Sequence, residues 1–220
     1  MTEPRPEVLA DDSAGLAAAV ATLREGGIVA FPTDTVYGIA VSLGTPGGIE
    51  RLFHVKHRPW EKGIALLLAD AEQAETVGVM DGRARLLAGA FWPGPLTIVL
   101  RARPDAELPE ALTGGTPTIG VRVPDHPTPR ALARALGPLP TTSANPSGEP
   151  DALEAADVIA RLGADVWLVL DGGRTPGAVP STVVDLSVEP PQVRRVGVLD
   201  REQVLAVLRD ADPPDSGPDP

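Results

Sequence analysis

Residues 26–41 read GGIVAFPTDTVYGIAV. The run IVAF, 28–31, is short and apolar and is stopped by Pro32, so it reads as a buried strand. After the polar TDT segment, VYGIAV gives a second strand. The polar residues Thr33, Asp34 and Thr35 therefore sit in a loop that leaves one buried strand and enters another. They fit simple turn caps, and equally a set of hydroxyls and N–H groups presented to an anion.

The same alternation continues outward in both directions. Upstream, Asp12 or Ser13 caps a helix through Glu25, with Leu16, Val20 and Leu23 along one side and Gly26–Gly27 ending it. Downstream, IERLFHVK (49–56) has helical spacing, and IALLL (64–68) reads as an inner strand. Helical segments across 70–90 lead through FWPGP to the strand LTIVL, 96–100. TIGVRV (118–123) is a strand, HPTPRALARAL a helix led by prolines, and LPTTSANPSG a strand entering a polar loop. A helix over 151–163, the strands VWLVLD and STVVDLS, and the helix EQVLAVL complete the series. Interleaved strands and helices predict one layered α/β sandwich. Residues 1–12 read as a flexible lead-in, 13–209 as a single domain, and 210–220 as a disordered acidic, proline-rich tail.

The chain has 220 residues, a formal net charge of −11 and no cysteine. Disulfides, thiolate nucleophiles and cysteine-ligated metals are thereby excluded. The acidity argues against a broad nucleic-acid-binding face. No apolar run reaches the roughly 18 residues needed to span a bilayer, and no signal pattern opens the chain. A cytoplasmic protein without membrane association is expected.

Against that acidity, KHRPWEKG (56–63) concentrates Lys56, His57, Arg58 and Lys62. Such runs are commonly solvated faces. Here Pro59 stiffens the centre and a core strand follows, and lysine and arginine both suit phosphate oxygens. Neither a P-loop nor a dinucleotide-binding glycine fingerprint is present. Ser143 has no GxSxG elbow and no paired histidine, and the three histidines form no metal motif.

Taken in order, FPTDTVYG, KHRPWEKG, FWPGPLTIVL, TIGVRVPDHP, TTSANPSGEP, LDGG, STVVDLS and VRRVG closely resemble the YrdC-like L-threonylcarbamoyladenylate synthases. One departure is Gly63, where the family commonly has proline. The resemblance implies an α/β fold (α+β in some schemes), a mixed twisted sheet flanked by helices around a concave nucleotide site. Residues 13–209 are then the catalytic domain. The few residues after 197 imply the short form, without the additional C-terminal domain of some members. The implied reaction makes threonylcarbamoyl-AMP and pyrophosphate from L-threonine, bicarbonate and ATP. Its product serves modification of adenosine 37 of tRNA, completed by threonylcarbamoyl-transfer proteins, with tRNA contact possible.

By the same resemblance Lys56 and Arg58 are the catalytic candidates and, with Lys62, would neutralise the ATP phosphates. Thr118, Thr141, Ser143, Asn145 and Arg195 match the nucleotide-facing set. Thr35, Arg122 and Ser181 match positions for threonine and its carboxylate or carbamate. Mg²⁺ is expected with ATP, held by phosphates and water, without a dedicated protein site. The runner-up is a YrdC-like RNA-binding or ribosome-assembly protein without synthase activity, which the −11 charge disfavours. A carbamoyl-phosphate-using module like that of hydrogenase-maturation proteins is a further alternative.

Overall fold

The computed structural model describes residues 5–57, 59–177 and 179–211. Ten strands form one mixed sheet: β1 (Glu7–Ala10), β2 (Val29–Phe31), β3 (Gly38–Ala40), β4 (Ala65–Leu67), β5 (Leu96–Arg101), β6 (Thr118–Arg122), β7 (Leu139–Ser143), β8 (Leu168–Asp171), β9 (Thr182–Asp185) and β10 (Gln192–Arg195). Their spatial order is β1-β8-β2-β3-β7-β4-β6-β5-β9-β10. Parallel pairs (β1–β8, β8–β2, β4–β6, β5–β9) mix with antiparallel ones. This is the mixed, helix-flanked sheet that the sequence leads one to expect.

The helices are α1 (Ser13–Arg24), α2 (Gly48–Val55), α3 (Ala71–Val77), α4 (Gly82–Phe91), the single turn α5 (Glu110–Thr113), α6 (Pro127–Leu136), α7 (Ala155–Leu162) and α8 (Arg201–Ala211). Helix starts follow local chemistry. The Asp12 carboxylate accepts from the N–H groups of Ala14 and Gly15, both at 2.9 Å. Asp70 and Asp81 cap α3 and α4 in the same way. Helix α6 opens with Pro127, whose missing N–H is no loss in a first turn. Among the described residues, no helix is long and apolar enough to cross a membrane.

Helices α2, α4, α7 and α8 bury their apolar sides with Ile39, Leu66, Ile98, Val121 and Val184 in the larger core. The opposite face of the sheet is covered by α1 and α6, through Leu23, Leu132 and Ala133 against Val29, Phe31 and Leu168. These two helices cover the β1–β8–β2 end and reach β7 and β4. Beyond them the same face of β4, β6, β5 and β9 is open. That uncovered floor is where the site lies.

Two departures from the sequence reading concern the lead-in and the tail. Residues 7–10 are not an unpaired lead-in but an edge strand, pairing Glu7 with Leu168 through Ala10 with Asp171. Its backbone pairing, rather than side-chain burial, holds it, since three of its four residues are exposed. Gly15 lets α1 close onto this strand, because a Cβ there would lie 2.1 Å from the Ala10 carbonyl oxygen. At the other end α8 runs to Ala211. Residues 212–220 of the expected tail lie outside the described residues.

Candidate active site

A cleft of about 680 Å³ opens on the uncovered sheet face. Its floor has the two-residue period of strands: Ala65 and Leu67 on β4, Thr97 and Val99 on β5, Thr118, Gly120 and Arg122 on β6, and Thr141 and Ser143 on β7. The intervening residues Leu66, Ile98 and Val121 point into the core. Among the described residues, four cationic side chains (Lys62, Arg122, Arg194, Arg195) line it against three acidic ones (Glu61, Asp151, Asp185). An acidic chain thus holds a locally basic cleft.

The deepest cation is Arg122, 6% exposed. Its Nε donates to the Gly94 carbonyl at 3.0 Å, one terminal nitrogen to Thr35 Oγ1 at 3.1 Å, and the other to Asp34 Oδ1 at 2.6 Å. Three of five N–H donors are engaged, leaving two without a partner among the described residues. Burial pulls the Arg122 pKa below its ordinary value, and the Asp34 charge opposes that shift. The TDT loop is itself bonded internally. Thr33 Oγ1 donates to the Val36 carbonyl at 2.7 Å, so in the 3.0 Å Thr33–Thr35 contact the proton belongs to Thr35. Thr35 therefore donates to Thr33 and accepts from Arg122. Tyr37 fastens the loop's far end, donating to the Gly173 carbonyl and accepting from the Gly172 N–H. Burial pushes its pKa up to about 12, so the phenol stays protonated. The sole tyrosine is a clamp between the TDT loop and the DGG turn.

Ser181 and Thr97 share a hydrogen bond of 2.8 Å across the β5–β9 boundary. Arg195 holds the same serine twice, through Nε to its carbonyl at 3.0 Å and a terminal nitrogen to Oγ at 3.2 Å. Burial lowers the Arg195 pKa, Asp151 opposes this, and repulsion from Arg122 adds to it. The two guanidiniums are thus close enough to feel each other. An anion between them would relieve that repulsion.

The pairing of β9 and β10 explains why two consecutive arginines line one cleft. Val193 faces Val184, yet Arg195 faces Val183, so Arg194 is an inserted residue. In regular pairing Arg195 would lie opposite Thr182, which is buried beneath the cleft floor. The bulge moves it to the cleft side without taking Arg194 away.

Eight sequence-derived candidates line the cleft: Thr35, Lys62, Thr118, Arg122, Thr141, Ser143, Ser181 and Arg195. Arg58 lies outside the described residues. Lys56 and Asn145 stand behind the lining, 2% and 6% exposed. The Lys56 ammonium donates to the Ser143 carbonyl at 2.5 Å, the Asn145 carbonyl at 2.6 Å and Asn145 Oδ1 at 3.1 Å, with Ser143 Oγ at 3.3 Å. The SAN segment thus offers this ammonium four acceptor atoms. Ser143 Oγ in turn donates to Asn145 Oδ1 at 2.6 Å. The Lys56 ammonium thus ties the SAN loop to the end of α2.

Asp34, Thr97, Asp185 and Arg194 are missed by sequence reasoning. Thr97 has a signal, as the one polar residue inside LTIVL. The two ion pairs, Asp34–Arg122 and Asp185–Arg194, depend on sheet register and have no local signal.

Comparison with known proteins places this geometry in context. The model of the Sua5, YciO and YrdC family, described as telomere recombination, matches residues 21–197. A Bacillus subtilis protein named threonylcarbamoyl-AMP synthase is 37% identical over 88% of this chain and 56% of its own length. One of the same name from Chromohalobacter salexigens is 40% identical over 78% of this chain and 92% of its own. The solved structure of Pyrococcus abyssi Sua5 complexed with L-threonine is similar with a TM-score of 0.85 and 34% identity, covering 93% of this chain and 60% of that one. The chain thus spans little more than half the length of the B. subtilis and P. abyssi proteins.

Proposed function

Because the chain belongs to the Sua5/YciO/YrdC family, we propose that it forms threonylcarbamoyl-AMP and pyrophosphate from L-threonine, bicarbonate and ATP. It is then a nucleotidyltransferase, acting in the cytoplasm ahead of tRNA modification. Threonylcarbamoyl-transfer proteins and tRNA are the downstream partners. The observation that carries this reading is the arrangement of Arg122 and Arg195 on one cleft, each bonded to a hydroxyl-bearing residue, Thr35 and Ser181.

The chemistry asks for positioned positive charge more than for a covalent nucleophile. The threonine amine and bicarbonate give a carbamate and water. A carbamate oxygen attacks the α-phosphorus of ATP, the bond to the bridging oxygen breaks, and pyrophosphate leaves with the electron pair. Arg122, with Thr35 and Ser181, receives the threonine carboxylate or the carbamate. Arg195 and Lys62 face the nucleotide, with Thr118, Thr141 and Ser143 as hydroxyl partners. Lys56 and Asn145 position Ser143 from behind. For Arg58 the phosphate role rests on the family resemblance alone.

Mg²⁺ bound with the triphosphate would supply charge neutralisation there. Asp34 and Asp185 are engaged by Arg122 and Arg194, and the described residues hold no cluster of three or more metal-ligating side chains, so the ion would be held by phosphate oxygens and water. The reading is tested by pyrophosphate release from ATP and Mg²⁺ with each small substrate omitted in turn. Release that needs both threonine and bicarbonate is expected, and equal release without either one overturns it.

A further inference from the structure

Arg194 has no part in the reading above, although it lines the same cleft. Its Nε and one terminal nitrogen donate to Asp185 Oδ2 at 3.1 and 2.9 Å. Asp185 is itself fixed. Ser187 gives its Oδ1 a backbone N–H at 2.8 Å and a hydroxyl at 2.6 Å. Burial pushes the Asp185 carboxyl up, but the Ser187 and Arg194 bonds outweigh it and hold the pKa below its ordinary value. The carboxylate is therefore ionised and aims the guanidinium. Arg194 keeps three N–H donors without a partner among the described residues, and its side chain is half exposed.

Position along the sheet gives that fork a distinct task. Asp185 pairs with Val99, and Val99 with Gly120. Arg195 pairs with Val183, two residues back along β9 and so about 7 Å away. The Arg122–Ser181–Arg195 cluster occupies one level of the cleft floor. Arg194, held at Asp185, occupies the next, beside the flat stretch of Ala65, Gly120 and Val99. A single carboxylate does not span both levels, whereas an extended polyanion does. A polar edge strand has no packing reason to turn two adjacent arginines onto one face. The bulge sets both cations on the cleft wall.

We propose that Arg194 is a further polyphosphate-binding residue of the cleft, oriented by Asp185 and contacting the pyrophosphate portion of the nucleotide. This rests on the synthase reading for the identity of the ligand. Arg194 is not a partner of threonine, and it acts on binding of the phosphate chain rather than on the carbamate.

The test is calorimetric titration of the full chain with inorganic tripolyphosphate and, separately, with L-threonine. Arg194→Gln removes the fork. The double variant Arg194→Gln/Asp185→Asn removes both charges, so no part-buried carboxylate is left unpaired. Loss of charge-assisted hydrogen bonds of this kind weakens binding by about tenfold. The expected result is that loss for tripolyphosphate in the single variant, at least about threefold in the double, and unchanged threonine affinity in both. Tripolyphosphate affinity unchanged in the double variant, equal loss of both ligands, or no tripolyphosphate binding by the unaltered protein would each overturn the proposal. None of these readouts needs turnover. A protein that binds tripolyphosphate through Arg194 but releases pyrophosphate without threonine would keep this inference and sink the synthase reading.

Discussion

The Arg122 guanidinium donates to the Asp34 carboxylate at 2.6 Å, with side chains only 7% and 12% exposed. A buried cation needs such a partner, because leaving either charge alone in the protein costs several kcal/mol. The pair also fixes which donors of Arg122 remain for a ligand. Asp34→Asn keeps the shape and an acceptor but removes the charge. It is expected to destabilise the fold by about 3 kcal/mol and to raise the threonine KM more than the ATP KM. Denaturant midpoints and steady-state kinetics check the two halves, and an unchanged midpoint contradicts the first.

Lys56 supports Ser143 and Asn145 from beneath. Lys56→Met retains the apolar stem but takes the ammonium from the Asn145 carbonyl, while the Ser143 carbonyl keeps the Asn145 N–H at 3.0 Å. An unsatisfied buried acceptor costs about 1–3 kcal/mol, so a loss of that size is expected. Urea unfolding measures it. If Lys56 served only phosphate, stability would hold and nucleotide affinity alone would fall.

Gly120 keeps the floor flat. A Cβ there would lie 3.5 Å from the Ala65 Cβ and the Thr97 methyl, which is ordinary contact. Gly120→Val therefore suits the strand but projects into the cleft. Nucleotide affinity should drop by at least about tenfold, the equivalent of 1.4 kcal/mol, while the melting temperature is retained or raised. Melting curves and equilibrium binding decide this together. Undiminished binding would place the nucleotide elsewhere.

His126 caps α6, its Nδ1 accepting from the Thr128 N–H at 3.3 Å. Burial lowers its pKa, with Asp11, Asp34 and Asp125 opposing. The folded protein binds this proton less readily than the unfolded chain. The resulting stability is therefore complete above the ordinary histidine value of about 6.5 and is lost as pH falls from there through the folded pKa. His126→Asn retains a cap that does not titrate. Thermal melts between pH 5 and pH 7.5 should show a smaller decline for the variant, and identical slopes would exclude His126 as the source.

Much of the architecture is legible in the sequence because the inner strands are unbroken apolar runs, such as IVAF and IALLL, that end at proline or polar loops. The two sheet edges are not legible. EVLA and QVRR owe their strand state to backbone pairing with β8 and β9, and their side chains show little of it. The site is legible as a set of residue types and in its relation to a family. Its wiring is not, since Asp34 meets Arg122 across 88 positions and Lys56 meets Ser143 across 87. Those distances in sequence are closed only by strand register. The bulge that turns both Arg194 and Arg195 to the cleft is equally silent, because regular alternation would assign them to opposite faces.

Isotope tracing reads the bond made in the cleft directly. Purified protein is incubated with ATP, Mg²⁺, L-threonine and ¹³C-bicarbonate, and the adenylate is identified by mass spectrometry. Threonylcarbamoyl-AMP whose mass carries the bicarbonate label is expected. Unlabelled threonyl-AMP, or ADP and phosphate formed without any adenylate, would contradict the synthase reading.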